Sequence, residues 1–172
     1  MTSGSRLQHR PTAPPRCTRS GDRLIVVGDG PDLGRLKTLG GPTCEFLGWQ
    51  SDDRVTELYA GCTAVLFPGE EDFGIVPVEA MACGKPVVAF GRGGALETVL
   101  DAPEFRTGVL FRRQAVEDMV QAMRRVREIA YDPERLRAFA LQFDRGQYKK
   151  SMREYILLRW QEFELQRDGK LM

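Results

Sequence analysis

The chain has 172 residues, 42% of them hydrophobic and 28% charged, with a formal net charge of +1. This length and composition suit one globular domain around a single well-buried core. So even a charge balance excludes a nucleic-acid binder that works through bulk positive charge.

The only histidine, His9, sits in a Pro- and Arg-containing leader, which removes Ser-His-Asp, Cys-His and histidine-metal schemes from the folded part. Cys17, Cys44, Cys62 and Cys83 form no CxxC pair, and three of them lie in apolar segments. They read as reduced thiols in a cytoplasmic setting. No apolar run reaches the length of a membrane span, and the amino end lacks the apolar middle of a secretory signal. Residues 1–22 read as a disordered or artefactual leader.

From Arg23 onward, strand and helix signals alternate. Arg23–Val27 is a β-branched run closed by Gly28-Asp-Gly-Pro31, and a brief helix follows from Asp32 to Leu39. Cys44–Leu47 is a second strand closed by Gly48. Ser51 is a suitable N-cap for a helix through Ala60, with Asp52 and Asp53 at the positive end of its dipole. Thr63–Phe67 is a third strand, stopped by Pro68-Gly69. A helix from Phe73 to Cys83 comes next, with Gly84 as its natural C′ residue. Pro86–Phe90 is a fourth strand, Ala95–Leu100 a short helix, and Thr107–Phe111 a small final strand. Val116–Ala130 has helical periodicity, and Pro133 opens a helix running to Phe143. Asp144 to about Gln166 is a long last helix bearing Tyr148, Met152, Tyr155, Ile156 and Phe163. The alternation implies an α/β fold with a mostly parallel, doubly wound, Rossmann-like sheet over 23–143. The helical tail over 144–172 is expected to pack back on it.

Two segments invite a functional reading. Gly28-Asp-Gly-Pro-Asp-Leu-Gly34 follows a strand and opens a helix, but its spacing is GxGxxxG and no acid closes the following strand to hold a ribose. A tight turn is the default there, and dinucleotide binding the minor alternative. In Glu70-Glu-Asp-Phe-Gly-Ile-Val-Pro-Val-Glu79, the amides of Phe73, Gly74 and Ile75 fall at a helix N-terminus, which with its dipole forms an anion site. Three acids beside such a site would repel a phosphate unless they face something else. Sugar hydroxyls are donors matched to an acceptor-only carboxylate. Glu71 on a sugar and Glu79 on a ribose would resolve the conflict; helix capping and plain solvation would do so equally well.

The same stretch carries a resemblance. Glu71, seven intervening residues and Glu79, set in EDFGIVPVEAMACGKPVVA, resemble the signature of retaining GT-B glycosyltransferases of the family-4 type. VVGDGP, FLGW, ELYAGCTAVLFPG, FGRGGALETV and TGVLF occur in that family's order, and the match runs from about Arg23 to the carboxyl end. The resemblance implies that Glu71 is catalytic and contacts hydroxyls of the transferred sugar. The amides of Phe73, Gly74 and Ile75 hold sugar and diphosphate, and Glu79 grips the ribose. Gly48 and Trp49 face the nucleobase, although Trp49 reads equally as a core or rim aromatic. Arg92 reads as a solvated loop arginine. The resemblance further implies no metal and no cofactor, a nucleotide-diphosphate sugar as donor, with a lean toward guanosine-linked mannose, and an oxocarbenium-like transition state with retained configuration.

The family pattern is incomplete here. The resemblance implies one half of a GT-B fold, lacking the N-terminal acceptor domain and the first βα unit of the donor domain, whose Arg and Lys neutralise the diphosphate. Arg16 and Arg19 do not reproduce that spacing. The chain is therefore expected to be a shortened or mis-started reading of a longer transferase, inactive alone, with any membrane association made through the absent domain. Without the first strand, Arg23–Val27 and Thr63–Phe67 must pair directly, leave a gap, or borrow a strand.

Overall fold

The computed structural model describes residues 22–168; the expectations about the leader, His9, Arg16, Cys17 and Arg19 lie outside them. From the amino end the elements are β1 (Leu24–Val27), α1 (Leu33–Leu39), β2 (Cys44–Gly48), α2 (Asp52–Gly61) and β3 (Val65–Phe67). Then come α3 (Ile75–Ala82), β4 (Val87–Phe90), α4 (Ala95–Thr98), the two-residue strands β5 (Asp101–Ala102) and β6 (Phe105–Arg106), and β7 (Gly108–Phe111). The chain ends in α5 (Val116–Glu128), α6 (Pro133–Ala140), a 3-10 turn (Leu141–Phe143) and α7 (Arg145–Asp168).

Local chemistry accounts for most boundaries. The Ser51 hydroxyl accepts from the Arg54 N–H at 3.3 Å and starts α2, while Asp132 takes the Glu134 N–H at 2.9 Å ahead of Pro133. Gly84 ends α3 at φ +74°. Its N–H donates to the Met81 carbonyl at 2.8 Å and the Lys85 N–H to the Ala80 carbonyl at 2.9 Å, the paired bonds of a left-handed helix stop. A Cβ on Gly84 would also stand 2.9 Å from Pro133, so the glycine lets α6 close on α3.

The core is built on β4. All four of its residues are buried, as a parallel strand covered on both faces requires. Val87 and Ala89 pack with Phe67, Ala80, Met81, Ala95, Val99 and Ala140. Val88 and Phe90 point the other way, onto Val109, Phe111, Met119, Ala122 and Val126. Strand alternation thus sends one set of side chains under α3 and α6 and the other under α5.

The expected α/β class with parallel strands is present, but the sheet is divided. β3, β4 and β7 form one parallel sheet in that order, and β1 pairs only with β2 in a second. β1 and β3 do not pair, so the gap is the outcome observed. Neither β1 nor β2 contains a buried residue, and the ion pair between Asp22 and Arg127 ties the start of β1 to α5. The β5–β6 hairpin was not expected; Asp101 fixes it by accepting from Arg125 at 2.8 and 2.9 Å and from the Leu110 N–H at 3.2 Å.

The long carboxyl-terminal helix forms but does not pack back as expected. Every residue of α7 from Arg145 to Gln161 is exposed, and Trp160 keeps 56% of its surface in solvent. Tyr148, Met152, Tyr155, Ile156 and Phe163 make one stripe, but Leu157, Leu158 and Leu165 point elsewhere. Both faces of the central sheet are already covered by α3, α6 and α5.

Met81 is fully buried between α3 and β4. Met81→Ala is expected to lower unfolding free energy by about 2–5 kcal/mol, read as a fall in the urea midpoint with unchanged slope.

Candidate functional site

Every segment singled out by sequence follows the carboxyl end of a strand, where open α/β sheets bind ligands. After β3 the chain passes Pro68-Gly69 and the three acids, then enters α3 through Gly74, which is left-handed at φ 78° and provides no side-chain cap. The first-turn amides of α3 therefore have neither an intrahelical nor a capping side-chain partner. Pro77 in the same turn has no N–H to orphan. Ile75 keeps 63% of its surface exposed at this end of the helix, whereas Gly74 itself is buried, with the Phe67 ring 3.3 Å from where its Cβ would stand.

A second loop supports the first. The Gly94 N–H donates to the Glu71 carbonyl at 2.7 Å. A Cβ on Gly94 would lie 2.2 Å from the Phe73 carbonyl oxygen, and one on Gly93 would lie 2.3 Å from that of Glu71. The backbone of Gly91-Arg-Gly-Gly94 is thus pressed against the backbone that leads into α3, a contact only glycine permits. The Gln114 amide anchors the start of the same loop by donating to the Pro68 carbonyl at 3.0 Å. In the sequence these glycines simply follow the strand Pro86–Phe90. Their signal was present, since consecutive glycines mark close backbone approach, but nothing in the sequence says which backbone approaches.

The acids stand as follows. Glu70, Glu71 and Asp72 are all exposed, as is Glu79. Glu79 lies four residues beyond Ile75, on the same exposed face of α3, while Pro77, Ala80 and Met81 form its buried face. Tyr59, on α2, donates its hydroxyl to Glu79 Oε2 at 3.2 Å. Burial, then the charge of Glu79, holds the Tyr59 phenol above its usual range, so it stays a protonated donor. This partner was absent from the sequence reading. Phe73 is 43% exposed, and its ring meets Phe143 edge-on at 5.8 Å.

At the ends of β1 and β2, Gly28 N–H donates to the Gly48 carbonyl at 2.8 Å and Trp49 N–H donates to Asp29 Oδ2 at 3.0 Å. Gly48 is left-handed at φ +68°, with Asp29 against it. Trp49 is 74% exposed and so is not a core aromatic. Gly34 has open space where its Cβ would be, whereas the third glycine of a dinucleotide fingerprint serves close helix–strand packing. Arg92 is exposed, with its guanidinium 5.9 Å from the centre of the Phe90 ring. Among the described residues no three His, Cys, Asp or Glu side chains gather as metal ligands, and no helix is long and apolar enough to cross a membrane.

Parallel strands, loops at their carboxyl ends and an uncapped helix start define a Rossmann-like α/β domain. The family described as glycosyl transferases group 1 matches residues 12–128, and the chain belongs to that family. It is 38% identical over 106 residues to the sulfoquinovosyl transferase SQD2 of Arabidopsis thaliana, covering 59% of this chain and 20% of that protein. It is also 38% identical over 89 residues to a GDP-mannose-dependent alpha-mannosyltransferase of Mycobacterium tuberculosis, covering 51% of this chain and 22% of that one. Among solved structures, the lipopolysaccharide outer core galactosyltransferase WaaB superposes with a TM-score of 0.68 at 23% identity, over 80% of this chain and 41% of WaaB. Anabaena Alr3699/HepE in complex with UDP and glucose superposes with a TM-score of 0.61 at 28% identity, over 78% of this chain and 40% of that one. The chain thus spans about a fifth of these two sequence relatives and about two-fifths of these structural neighbours.

Gly94→Ala drives a methyl group into the Phe73 carbonyl, so it is expected to cost about 1–3 kcal/mol of stability. Gly34→Ala, in open space, is expected to change the thermal midpoint little; side-by-side melting curves of the two variants make the comparison.

Proposed function

We propose that this chain supplies the donor-binding half of a glycosyltransferase that moves a sugar from a nucleotide-diphosphate sugar to an acceptor with retention of configuration. The observation that carries the proposal is the start of α3, which has no side-chain cap, with Glu71, Ile75 and Glu79 exposed around it. The HepE neighbour, in complex with UDP and glucose, supports a nucleotide-sugar donor; the mannosyltransferase relative is described as GDP-mannose-dependent, which is consistent with the lean toward that donor.

In this reading the amides of Phe73, Gly74 and Ile75 receive the diphosphate and the near side of the sugar. The dipole of α3 stabilises charge that grows on the leaving phosphate as the glycosidic bond breaks, acting as preorganised electrostatics. Glu71 accepts hydrogen bonds from sugar hydroxyls, and its charge favours an oxocarbenium-like centre. Glu79 accepts from the ribose. Trp49 offers a solvent-facing ring to a base at the ends of β1 and β2, which the Asp29 bridge holds together. The departing phosphate is the group placed to take the acceptor's proton on the retained face. No metal ligand is assigned. The acceptor side belongs to the N-terminal half of such enzymes, and the chain alone is proposed to bind donor without turning it over, in a cytoplasmic setting.

The two acids separate experimentally. Glu79→Gln is expected to weaken nucleoside diphosphate and nucleotide sugar alike, by about tenfold or more. Glu71→Gln is expected to erase discrimination among sugars while leaving the bare nucleotide nearly unaffected. Calorimetric titration of both variants with UDP, GDP and their sugar conjugates tests this division; equal losses for the bare nucleotide in the two variants count against it.

A further inference from the structure

Glu79 raises a mechanical problem that its own helix does not solve. It is exposed on α3, and a free glutamate in water samples many rotamers whose loss on binding has an entropic cost. The structure gives it a neighbour on a different element. Tyr59, near the carboxyl end of α2, reaches across with its hydroxyl 3.2 Å from Glu79 Oε2. The tyrosine ring is only partly exposed, so the phenol is the better-anchored member of the pair.

We propose that Tyr59 is a positioning residue for ribose recognition: its hydroxyl pins one oxygen of Glu79 and turns the other toward the sugar of the nucleotide. A carboxylate has about four acceptor sites across its two oxygens. One donated bond therefore restrains the group and leaves Oε1 for a ribose hydroxyl. The phenol remains a donor throughout the neutral range because burial and the adjacent carboxylate both oppose its ionisation. The inference rests on the reading of Glu79 as the ribose ligand, and it adds α2 to the donor site.

The test separates positioning from structure by removing the ribose hydroxyls instead of the protein's. The full chain, Tyr59→Phe, Glu79→Gln and the double variant are titrated with uridine and guanosine diphosphates and with their 2′,3′-dideoxy forms. Tyr59→Phe keeps the ring and its packing, and is expected to weaken the ribonucleotide about three- to tenfold while changing the dideoxy form less than twofold. The double variant is expected to bind no more weakly than Glu79→Gln, because the hydroxyl acts only through that carboxylate. Unchanged ribonucleotide affinity in Tyr59→Phe, or equal losses for both nucleotide forms, overturns the role of Tyr59 while leaving Glu79 as ligand. A wild-type chain that binds neither nucleotide, or that does not distinguish ribose from dideoxyribose, overturns the ribose assignment of Glu79 and this inference together.

Discussion

The contact on which the rest of the site depends is one backbone lying on another. The Gly91–Gly94 loop after β4 carries no side chain at the two positions where it meets the segment from Glu71 to Phe73, and the Gly94 N–H bonds the Glu71 carbonyl at 2.7 Å. This fixes the path of the chain just before it enters α3. A helix start attracts an anion only if its amides converge on open space, and space beside a loop is normally filled by the loop's own side chains. Here the supporting loop has none at the contact, and its one side chain, Arg92, lies near the Phe90 ring instead. The buried strand β4 reaches this contact directly, so the rigidity of the core is passed on to the site within four residues.

The acids around that helix start make sense in the same frame. An anion site surrounded by carboxylates is self-defeating if every charge faces the phosphate, and a long-range field from Glu70, Glu71 and Asp72 opposes binding of a bare phosphate. A ligand that combines a diphosphate with hydroxyl-rich groups on both sides reverses the balance. In the proposed binding mode its phosphates meet amides, and its hydroxyls meet acceptors. On the proposed donor reading, inorganic phosphate, which has no sugar hydroxyls to offer the carboxylates, is the disfavoured ligand.

Much of this was legible from the residues. Gly84 as a helix stop, Ser51 as a cap, Pro133 as a first helical residue and Pro86–Phe90 as a strand all act through local chemistry, and each appears where expected. The features that were not legible are those made between distant parts of the chain. The residues left three outcomes open for β1 and β3, and nothing local to either segment chose the gap that divides the sheet. The Gly93–Glu71 approach, the Tyr59–Glu79 hydrogen bond and the role of Asp101 under the small hairpin join residues about 20 or more apart or depend on a turn too short to leave a periodic trace. The tail misled because an apolar stripe at helical spacing says that a face wants covering, not what covers it.

The location of the chain's two indoles has a practical side. Trp49 and Trp160 are both more than half exposed, one at the mouth between β1 and β2 and the other on the projecting terminal helix. Neither touches the cluster around Met81 and Val88. Intrinsic tryptophan emission from this protein is therefore expected to come from largely solvated indoles even in the folded state, and to respond weakly to melting of the core. It reports instead on whatever comes to cover the rim of the first sheet or the last helix, which makes the fluorophores native sensors of occupancy and leaves unfolding to be followed by circular dichroism.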